Sequence, residues 1–576
     1  MDILATAERA WLARSVDVSI IEELAASCAI NSTTAALLYL RGVSTPDEAN
    51  RFLSASLADM ADPALMADIS HAASRLLLAV KTGERIVIYG DYDVDGVTST
   101  AVLWLFFRDV FGIEIDSYIP HRLREGYGLN ADAIRTLADA GTQVLVTVDN
   151  GSSANEEANL AKALGMDVIV IDHHQVSDPE PDVYAHLNPH RKTCEYPYKG
   201  LAAVGVVFLL LVELRRALRA DKTPIKTNPR PDHYLDLVAL GTVADVAPLT
   251  GLNRAIVRYG LMRMKAFCRP GVAAMLSHAG GELLGLNERD FGYKLGPRIN
   301  AAGRLDDATR GLRLLISDDQ HIVDPLARLV EEQNKERKHL QKNMTEEALE
   351  MASQSANCEQ SALVLASTDW HPGVVGIVAS RLVETHGKPV ILLAEDGGVL
   401  KGSARSIPGV DVKAALDLCS DKLMRYGGHV AAAGMTLKPS LFEAFRSAFS
   451  DAVDQVKTVS TGLKPIFYDF QLNLEEFSRN LLDDLMRVGP FGHGNQAPRI
   501  YSTNVYASHR VLRGGHLKLS ISTPAGPVDG LAWNRADDAH MLAGPVELIY
   551  TPDIEVWRGR EKVVFRIDAM RPAEPR

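Results

Sequence analysis

The sequence predicts an α/β protein of several domains, and three observations support this fold class. A chain of 576 residues is too long for one hydrophobic core, so two to four domains are expected. From about residue 75 to residue 250, short β-branched runs alternate with helical segments, which favours a mostly parallel sheet covered by helices. From about residue 465, short strands alternate with Gly and Pro turns, which is typical of a small β-barrel.

Composition and charge narrow the class of protein. The chain is 47% hydrophobic and 23% charged, as globular proteins commonly are. Its net charge of −12 argues against non-specific coating of nucleic acid, although a local basic groove stays open. The N-terminus does not have the pattern of a signal peptide, and the longest apolar run, Leu201–Leu214, suits a buried core helix better than a membrane span.

The cysteines show no metal-site or disulfide spacing. No C-x-x-C pair occurs among Cys28, Cys194, Cys268, Cys358 and Cys419. Structural zinc is therefore not expected, and free thiols suit the reducing cytoplasm, where we expect the protein to act.

Five segments are expected along the chain. They are an N-terminal helical segment (1–70), a first α/β domain (71–320), a connecting helix (321–355), a second α/β domain (356–455) and a small barrel of the OB type (460–576). The run Ser44-Thr-Pro-Asp-Glu is a helix-start signal in the first segment. Residues 322–352 are charged and lack glycine, which predicts one long exposed helix.

Polar side chains follow three predicted strands of the first α/β domain. Strands are predicted at Arg85–Tyr89, Ile113–Ile119, Gln143–Val148 and Asp167–Ile171. The residues after them are Asp91, Asp93 and Asp95 in "DYDVDG", Asp149 in "DNGSS", and Asp172, His173 and His174 in "DHHQ". A helix over "LDLVALGTVADVAPL" is expected to break at Gly241 and to present Asp245. Since open parallel sheets bind ligands at the carboxyl ends of their strands, these side chains should converge.

The first of these motifs begins like a calcium-binding EF-hand loop. That loop needs a Glu at its twelfth position and a helix before it, whereas the twelfth residue from Asp91 is Val102 and an apolar strand precedes the motif. A single Asp after a strand is usually a helix cap or a turn residue. A functional site is therefore predicted only because the three motifs "DYDVDG", "DNGSS" and "DHHQ" all follow predicted strands.

A carboxylate cluster of this kind needs cations. Carboxylates held close together repel one another, which raises their pKa values unless positive charge neutralises them. Carboxylates combined with imidazoles suit Mn²⁺ or Mg²⁺. Two such cations sharing one Asp form the usual arrangement for phosphoester hydrolysis.

The motifs "DYDVDG", "VDNGSS", "DHHQ" and "GTVADVAPL" resemble those of the DHH phosphoesterase superfamily. Further runs are similar, in the same order, to the RecJ family of bacterial exonucleases, over about residues 30–570. These runs are "YIPHRLREGYGLN", "GPRINAAGRLDDA", "HPGVVGIVASRL", "SARS", "YGGHVAAAGMTL" and "GPFGHGNQAP". The resemblance implies a DHH domain, a connecting helix, a DHHA1-type domain and an OB-like domain.

The resemblance also implies roles for individual residues. It implies two divalent cations, Mn²⁺ or Mg²⁺, held by Asp91, Asp93, Asp95, Asp149, His173 and Asp245, with Asp149 shared between them. Asp93 and Asp95 are the stronger ligand candidates of the first motif. His174 would contact the scissile phosphate, although a ligand role stays open.

For the substrate's 5′-phosphate the resemblance implies six residues: Arg122, Asn300, Arg304, Ser403, Arg405 and His429. Each has a structural alternative. Arg304 could pair with Asp306 or Asp307, and Gly427 and Gly428 could form a plain turn instead of a phosphate-binding surface.

The function implied is 5′-to-3′ exonuclease activity on single-stranded DNA, releasing mononucleotides, in DNA repair and recombination. The strand would pass between the two α/β domains, and the barrel would hold downstream nucleotides. Expected partners are single-stranded DNA, a helicase and a single-strand-binding protein, with no membrane and a monomeric chain. Tail residues available for stacking or for phosphate contact are Phe491, Tyr501, Tyr506, Trp533, Trp557, Arg510, Arg513, Lys518, Arg558 and Arg560.

Two other functions stay open at this point. The same site could hydrolyse small nucleotides, cyclic dinucleotides or short oligoribonucleotides, although the length of the chain and the barrel argue against this. A non-catalytic binding protein that keeps the DHH fold is disfavoured because every motif ligand is present.

Overall fold

The computed structural model describes residues 9–220, 223–354, 360–458, 465–524, 526–557 and 559–573. These residues form two compact units. The first comprises the described residues of 10–331 and 465–573, and the second comprises residue 9 and the described residues of 332–458.

A five-stranded parallel sheet forms the centre of the first unit. Its strands are β2 (Ile86–Gly90), β3 (Asp116–Tyr118), β4 (Val144–Val148), β5 (Asp167–Ile171) and β6 (Ala185–Leu187), in the spatial order β3-β2-β4-β5-β6. All neighbouring pairs are parallel. The chain leaves β2 to one side for β3 and then returns to the other side for β4, so the strand order reverses at β2, where ligands bind in folds of this type.

Helices of the first unit lie on both faces of this sheet, except those before residue 55, which share a core with the C-terminal strands. In chain order they are α1 (Val18–Cys28), α2 (Ser32–Tyr39), α3 (Pro46–Ser54), α4 (Ile69–Thr82), α5 (Val94–Phe111), α6 (Ala131–Asp139), α7 (Asn155–Ala163), α8 (Ala203–Ala220), α9 (Leu235–Ala244), α10 (Gly251–Ala266), α11 (Pro270–His278), α12 (Gly296–Leu305), α13 (Thr309–Ile316) and α14 (Gln320–Ala352). Helix α3 starts at the predicted signal, with Thr45 and Glu48 forming a reciprocal capping box.

Helix α8 contains most of the apolar run noted in the sequence. Its residues from Ala203 to Leu211 are buried, so the expectation of a core helix is confirmed. Among the described residues, no helix combines the length and the apolar content that a membrane span requires. Four cysteines, Cys28, Cys194, Cys268 and Cys419, are unpaired, and Cys358 lies outside the described residues.

The connecting helix α14 is 33 residues long and runs from the first unit into the second. It is less exposed than predicted, because Val323, Ala327 and Val330 are buried in the first unit.

The second unit is built on a five-stranded sheet. Its strands are β7 (Leu363–Ser367), β8 (Val390–Asp396), β9 (Val399–Arg405), β10 (Arg425–His429) and β11 (Ala432–Leu437), in the order β10-β11-β9-β8-β7. Only β7 and β8 pair in parallel. Its further helices are α15 (Val375–His386), α16 (Val412–Asp417) and α17 (Phe442–Val456).

The C-terminal part of the first unit is a mixed sheet of seven strands. It contains β13 (Phe470–Gln471), β14 (Ile500–Val505), β15 (Ala507–Leu512), β16 (His516–Thr523), β17 (Gly526–Ala532), β18 (Val546–Trp557) and β19 (Arg560–Pro572), with helix α18 (Arg479–Met486). Strand β12 (Ile466–Tyr468) pairs instead with β1 (Trp11–Ala13). The predicted fold class, with its two α/β domains, long helix and OB-like tail, is confirmed.

Candidate metal centre

The first motif is a turn from strand β2 into helix α5. Asp93 caps the helix, with its Oδ1 accepting from the N–H groups of Asp95 (2.9 Å) and Gly96 (3.2 Å). Only glycine fits at position 96, because a Cβ there would lie 2.5 Å from the carbonyl oxygen of Asp91. A strand precedes the motif, so it is not a calcium loop.

Asp95 points from the first turn of α5 to the start of helix α8. Its carboxylate accepts from the backbone N–H groups of Ala203 (2.7 Å) and Val204 (2.9 Å). The positive end of the α8 dipole therefore fixes this carboxylate in one orientation.

The prediction that the helix of the fourth motif breaks at Gly241 is wrong. Gly241 lies inside α9, and the helix continues to Ala244, so that Asp245 follows its last residue. The glycine serves close packing, since a Cβ there would lie 2.3 Å from Thr98 Oγ1 and 3.3 Å from Asp95 Oδ1. Gly241 thus lets α9 approach α5 closely at the level of Asp95.

Asp149 follows strand β4 in an unusual backbone conformation. Its φ angle is +64°, a region that non-glycine residues seldom adopt, and only 2% of its surface is exposed. Its N–H donates to Ile171 O (3.0 Å), and the Tyr127 hydroxyl donates to its carbonyl oxygen (3.1 Å). Backbone strain of this kind is found mainly at functional sites.

Asp172 organises the DHH turn. One carboxylate oxygen of Asp172 accepts from Ser152 N (3.0 Å), while the other binds His173 N (2.7 Å), His174 N (3.1 Å) and His174 Nδ1 (2.7 Å). Burial opposes ionisation of Asp172, but the hydrogen bond and charge of His174 lower its pKa below the usual range. Burial likewise lowers the pKa of His174, yet Asp172 outweighs it and raises that pKa to about 9.

The predicted ligands converge at the carboxyl edge of the sheet. His173 Nε2 lies 3.3 Å from Asp149 Oδ1, 3.8 Å from Asp95 Oδ2 and 3.8 Å from Asp245 Oδ2. Three overlapping groups could each hold a cation: Asp91, Asp93 and Asp149; Asp95, His173 and Asp245; and Asp149, His173 and His174.

The electrostatics of this cluster call for positive charge. Burial is the largest cause that raises the pKa values of Asp91, Asp95 and Asp149, and the negative charge of Asp93 is the second. The pKa of Asp95 is raised to about 7. Burial and then Asp95 raise the pKa of Asp245 to about 9. Burial and the charge of His174 lower the pKa of His173 to about 4, which leaves this imidazole neutral and able to act as a ligand.

Three buried atoms of the cluster have no hydrogen-bond partner among the described residues. They are Asp91 Oδ1, Asp149 Oδ1 and His173 Nε2; the last two lie 3.3 Å apart but do not have hydrogen-bond geometry. Buried polar atoms in folded proteins normally have hydrogen-bond partners, so three unpartnered atoms at one place fit a site that binds a ligand. Carboxylate oxygens with one imidazole fit Mn²⁺ or Mg²⁺.

Three predicted substrate residues surround the first motif. The Arg122 guanidinium lies 4.8 Å from the ring centroid of Tyr92. Asn300 and Arg304 are four residues apart on α12, which places them on one face of that helix. The helix packs closely on the motif, because a Cβ at Gly303 would lie 2.6 Å from Tyr92 O.

The other three predicted substrate residues form a second group on the sheet of the second unit. Arg405 pairs with Ala432, and Ala432 pairs with His429 on the next strand, so Arg405 and His429 share a face with Ser403. Arg405 Nη1 donates to Ser403 Oγ (2.7 Å).

The glycines of this second group are not in a turn, so that alternative for Gly427 and Gly428 is wrong. Both lie within strand β10. Gly428 has a φ angle of +149°, and a Cβ there would lie 2.4 Å from Ala432 O. A Cβ at Gly427 would meet no described atom within 4 Å, so this part of the face is open.

Two residues near the cluster were missed by the sequence reasoning. Asp172 was noted at a strand end but was given no role, because its function depends on which groups its carboxylate faces. Tyr127, whose hydroxyl lies 3.2 Å from His174 Nδ1, occurs in the run "REGYGLN". No spacing in the sequence signalled that contact.

Three family profiles match the chain in the order of its domains. The DHH family, N-terminal domain, matches residues 85–242, the DHHA1 domain matches residues 359–455, and the RecJ OB domain matches residues 468–569.

Curated relatives and solved structures agree with these profiles. The chain is 36% identical over 559 residues to the single-stranded-DNA-specific exonuclease RecJ of Bacillus subtilis (strain 168), covering 96% of this chain and 69% of the relative. It is 36% identical over 548 residues to the protein of that name from Escherichia coli (strain K12), covering 92% and 94%. The crystal structure of RecJ in complex with Mn²⁺ from Thermus thermophilus is 29% identical with a TM-score of 0.80, covering 98% of this chain and 80% of that chain.

These matches extend over both units and include the edge of the sheet at which the carboxylates and imidazoles converge. The chain therefore belongs to the RecJ family of the DHH phosphoesterase superfamily.

Proposed function

We propose that this chain is a 5′-to-3′ exonuclease that removes mononucleotides from single-stranded DNA with the help of two divalent cations, Mn²⁺ or Mg²⁺. One observation carries the proposal. In a member of the RecJ family, Asp91 Oδ1, Asp149 Oδ1 and His173 Nε2 are buried and unpartnered at the edge where the strand order of a parallel sheet reverses.

Six residues would hold the cations: Asp91, Asp93, Asp95, Asp149, His173 and Asp245. Asp149 and His173 each belong to two of the three candidate groups, which supports a shared position for Asp149. The free Oδ1 of Asp91 supports a ligand role for this residue as well. Bound divalent cations activate water and stabilise the negative charge that develops on a phosphate during hydrolysis.

The protein's own groups would orient the phosphodiester. The Nδ1 atom of His174 is occupied by Asp172 at 2.7 Å, which makes His174 a poorer cation ligand than His173. In the metal-free protein Asp172 raises the pKa of His174 to about 9, and a ring protonated in this way offers its other N–H to a phosphate oxygen. We therefore assign His174 to the scissile phosphate and Asp172 to holding its ring.

The 5′ polarity would come from residues that bind a terminal phosphate. Arg122, Asn300 and Arg304 form one such group beside the first motif, and Ser403, Arg405 and His429 form another on the second sheet. Guanidinium groups bind phosphate oxygens through paired hydrogen bonds, and open glycine backbone permits close approach.

The OB-like tail would hold the strand further along. Tyr506 and Trp533 are exposed (70% and 55%), as are Arg510, Arg513 and Arg560, whereas Phe491, Tyr501 and Lys518 are half-buried. Exposed aromatic rings are suited to stacking on the bases of single strands, and exposed arginines to contact with their phosphates. Arg558 lies outside the described residues, and the side chain of Trp557 is not described either.

The cellular setting is proposed from the family and from the chemistry. A nuclease for single strands needs an unwound end, so a helicase and a single-strand-binding protein are proposed partners. We place the protein in the cytoplasm, as a monomer, in DNA repair and recombination.

The decisive assay uses single strands labelled at either end, incubated with Mn²⁺ or Mg²⁺. Mononucleotides should be released from the 5′ end, with no release from duplex DNA and none by the Asp149→Ala variant. If the wild type leaves long strands intact but cleaves dinucleotides or short oligomers, the small-nucleotide phosphodiesterase alternative replaces this proposal.

A further inference from the structure

A chain of buried polar side chains lies behind the DHH turn. Its members are Ser152 after strand β4, Asn188 after strand β6, and His186 within β6, and they are 1%, 0% and 2% exposed. None of them belongs to the candidate ligand set.

Hydrogen bonds connect these side chains, and the donor and the acceptor of the bonds from Asn188 can be assigned. Asn188 Nδ2 donates to Ser152 Oγ (2.8 Å) and to the carbonyl oxygen of His174 (2.9 Å). The amide orientation is fixed, because Asn188 Oδ1 accepts from His190 N (2.8 Å). Both hydrogens of the amide are therefore used.

The proton positions follow from this arrangement. Since Ser152 Oγ accepts from Asn188, its own hydrogen is available for His186 Nε2 at 2.9 Å. With the hydroxyl hydrogen on that bond, a neutral His186 ring carries its proton on Nδ1, which has no hydrogen-bond partner among the described residues and lies 3.7 Å from Glu180 Oε2. Burial lowers the pKa of His186 to about 4, in agreement with a neutral ring.

A serine beside a histidine and a glutamate also occurs where a serine is activated as a nucleophile, but here His186 Nδ1 forms no hydrogen bond to Glu180. Here Ser152 is buried and its oxygen is already bonded to Asn188, so no substrate can reach it. The arrangement is suited to positioning rather than to attack.

Ser152 is connected to the DHH turn from two sides. Its N–H donates to Asp172 Oδ2, and Asp172 in turn holds His173 and His174. Its hydroxyl acts through Asn188 on the carbonyl of His174. The loop that carries Asp149 and the turn that carries His173 are thereby held together.

We propose that Ser152, Asn188 and His186 form a positioning network that sets the distance between Asp149 and His173 and so the affinity of the site for divalent cations. The inference rests on the proposed ligand set. Groups that orient metal ligands from behind commonly change metal affinity by about 10–100-fold when they are removed.

The test is a titration of the metal-stripped full chain with Mn²⁺ by calorimetry. Ser152→Ala and Asn188→Ala should each raise the Kd for Mn²⁺ by about 10–100-fold. Because both act through one chain of bonds, the double variant should bind about as weakly as the weaker single variant. If the rise in Kd for the double variant equals the product of the two single rises, the two side chains act independently and the inference is overturned.

Ser502→Ala is the matched control. Ser502 is 0% exposed, and its Oγ donates to Leu472 O (2.6 Å) in the C-terminal sheet. This variant should lower the thermal midpoint of the metal-free protein while leaving the Kd for Mn²⁺ unchanged, which separates positioning from a general loss of stability.

The remaining outcomes are also decisive. If the alanine variants do not fold, Ser152→Cys, which is similar in size and donates weakly, should still weaken Mn²⁺ binding. Folded Ser152 and Asn188 variants that bind Mn²⁺ as the wild type does would overturn the network, provided that Asp149→Ala has lost binding. If Asp149→Ala also binds normally, the proposed ligand set is wrong instead.

Discussion

The carboxylate cluster of the first unit and the Ser403–Arg405–His429 face of the second unit are built in opposite ways. In the cluster, Asp91 and Asp149 are 2% exposed, and Asp95 and Asp172 are fixed by backbone N–H donors. On the face, Ser403 and Arg405 are half-buried and His429 is exposed. A Cβ added to the neighbouring Gly427 would meet no described atom within 4 Å.

The difference agrees with what each region is proposed to bind. A small cation needs ligands whose positions are fixed before it arrives, and burial strengthens their electrostatic interaction with it. A phosphate at the end of a flexible strand needs an accessible surface with hydrogen-bond donors. Each region can therefore be disrupted by a change that leaves the other intact.

The largest expected effect is from Asp149→Asn. This change keeps the shape of the side chain but removes the carboxylate that is proposed to bind both cations, so we expect exonuclease turnover to fall by roughly 10³-fold or more. Turnover on labelled single strands at saturating Mn²⁺ measures it.

Stability of the metal-free form is the control for that variant. Asp149→Asn removes a carboxylate whose pKa is raised by burial and by Asp93, so the variant should melt no lower than the wild type, with an advantage that grows as pH rises. A large drop in the melting temperature would instead mean that Asp149 acts mainly in folding.

The next effect is on the second region, from Arg405→Ala. Loss of a charge-assisted hydrogen bond to phosphate is worth about 1.5–3 kcal/mol, so KM for 5′-phosphorylated strands should rise roughly 10–100-fold. Strands with a 5′-hydroxyl should be far less affected.

The matched control is Arg381→Ala, which removes an arginine of α15 that pairs with Glu384 (3.1 Å) on the helix surface. It should leave KM for both substrates unchanged. Equal losses by Arg405→Ala on phosphorylated and hydroxyl-ended strands would remove the phosphate role from Arg405.

A smaller effect is expected where a helix approaches the cluster. Gly241→Ala would place a Cβ 2.3 Å from Thr98 Oγ1, so α9 must shift away from α5, at a cost of about 1–3 kcal/mol in the free energy of unfolding. Denaturant unfolding of the metal-free protein measures this cost. An unchanged free energy would show that the contact is not tight.

The sequence predicted the position of a side chain correctly where that residue comes directly after a predicted strand. Asp91, Asp149 and His173 lie together because parallel strands end at one edge, and the predicted strands β2, β4 and β5 differ from the observed ones by at most a residue at either end. Strand β3 was overpredicted: the expected Ile113–Ile119 shortens to Asp116–Tyr118, because it is an edge strand that pairs only with β2.

The rest depends on contacts between distant parts of the chain. Gly241 was taken for a helix break because its close contact with Thr98 is tertiary. The shared face of Arg405 and His429 depends on the register of three strands, and the role of Asp172 depends on the two turns that surround it. None of these follows from local propensity.

The smallest effect is a pH dependence of stabilisation by cations. In the metal-free protein the pKa values of Asp95 and Asp245 are raised to about 7 and about 9. A raised carboxyl pKa stabilises the fold at low pH, and that stability is lost as pH rises from the usual carboxyl range toward these values. Cations compete with the same protons.

The rise in melting temperature on adding Mn²⁺ should therefore be larger at pH 8.5 than at pH 6, as measured by thermal unfolding at fixed ionic strength. Asp149→Asn should show a weaker rise at both pH values. A rise that is the same at both would mean that these carboxylates do not take part in binding.

The central claim is that the unpartnered atoms Asp91 Oδ1, Asp149 Oδ1 and His173 Nε2 mark the cation site. The most direct test is an anomalous difference map from crystals of the full chain grown with Mn²⁺. The account predicts two peaks at the carboxyl edge of the parallel sheet, with Asp149 in contact with both. Peaks elsewhere, or none at this edge in a folded chain, would contradict it.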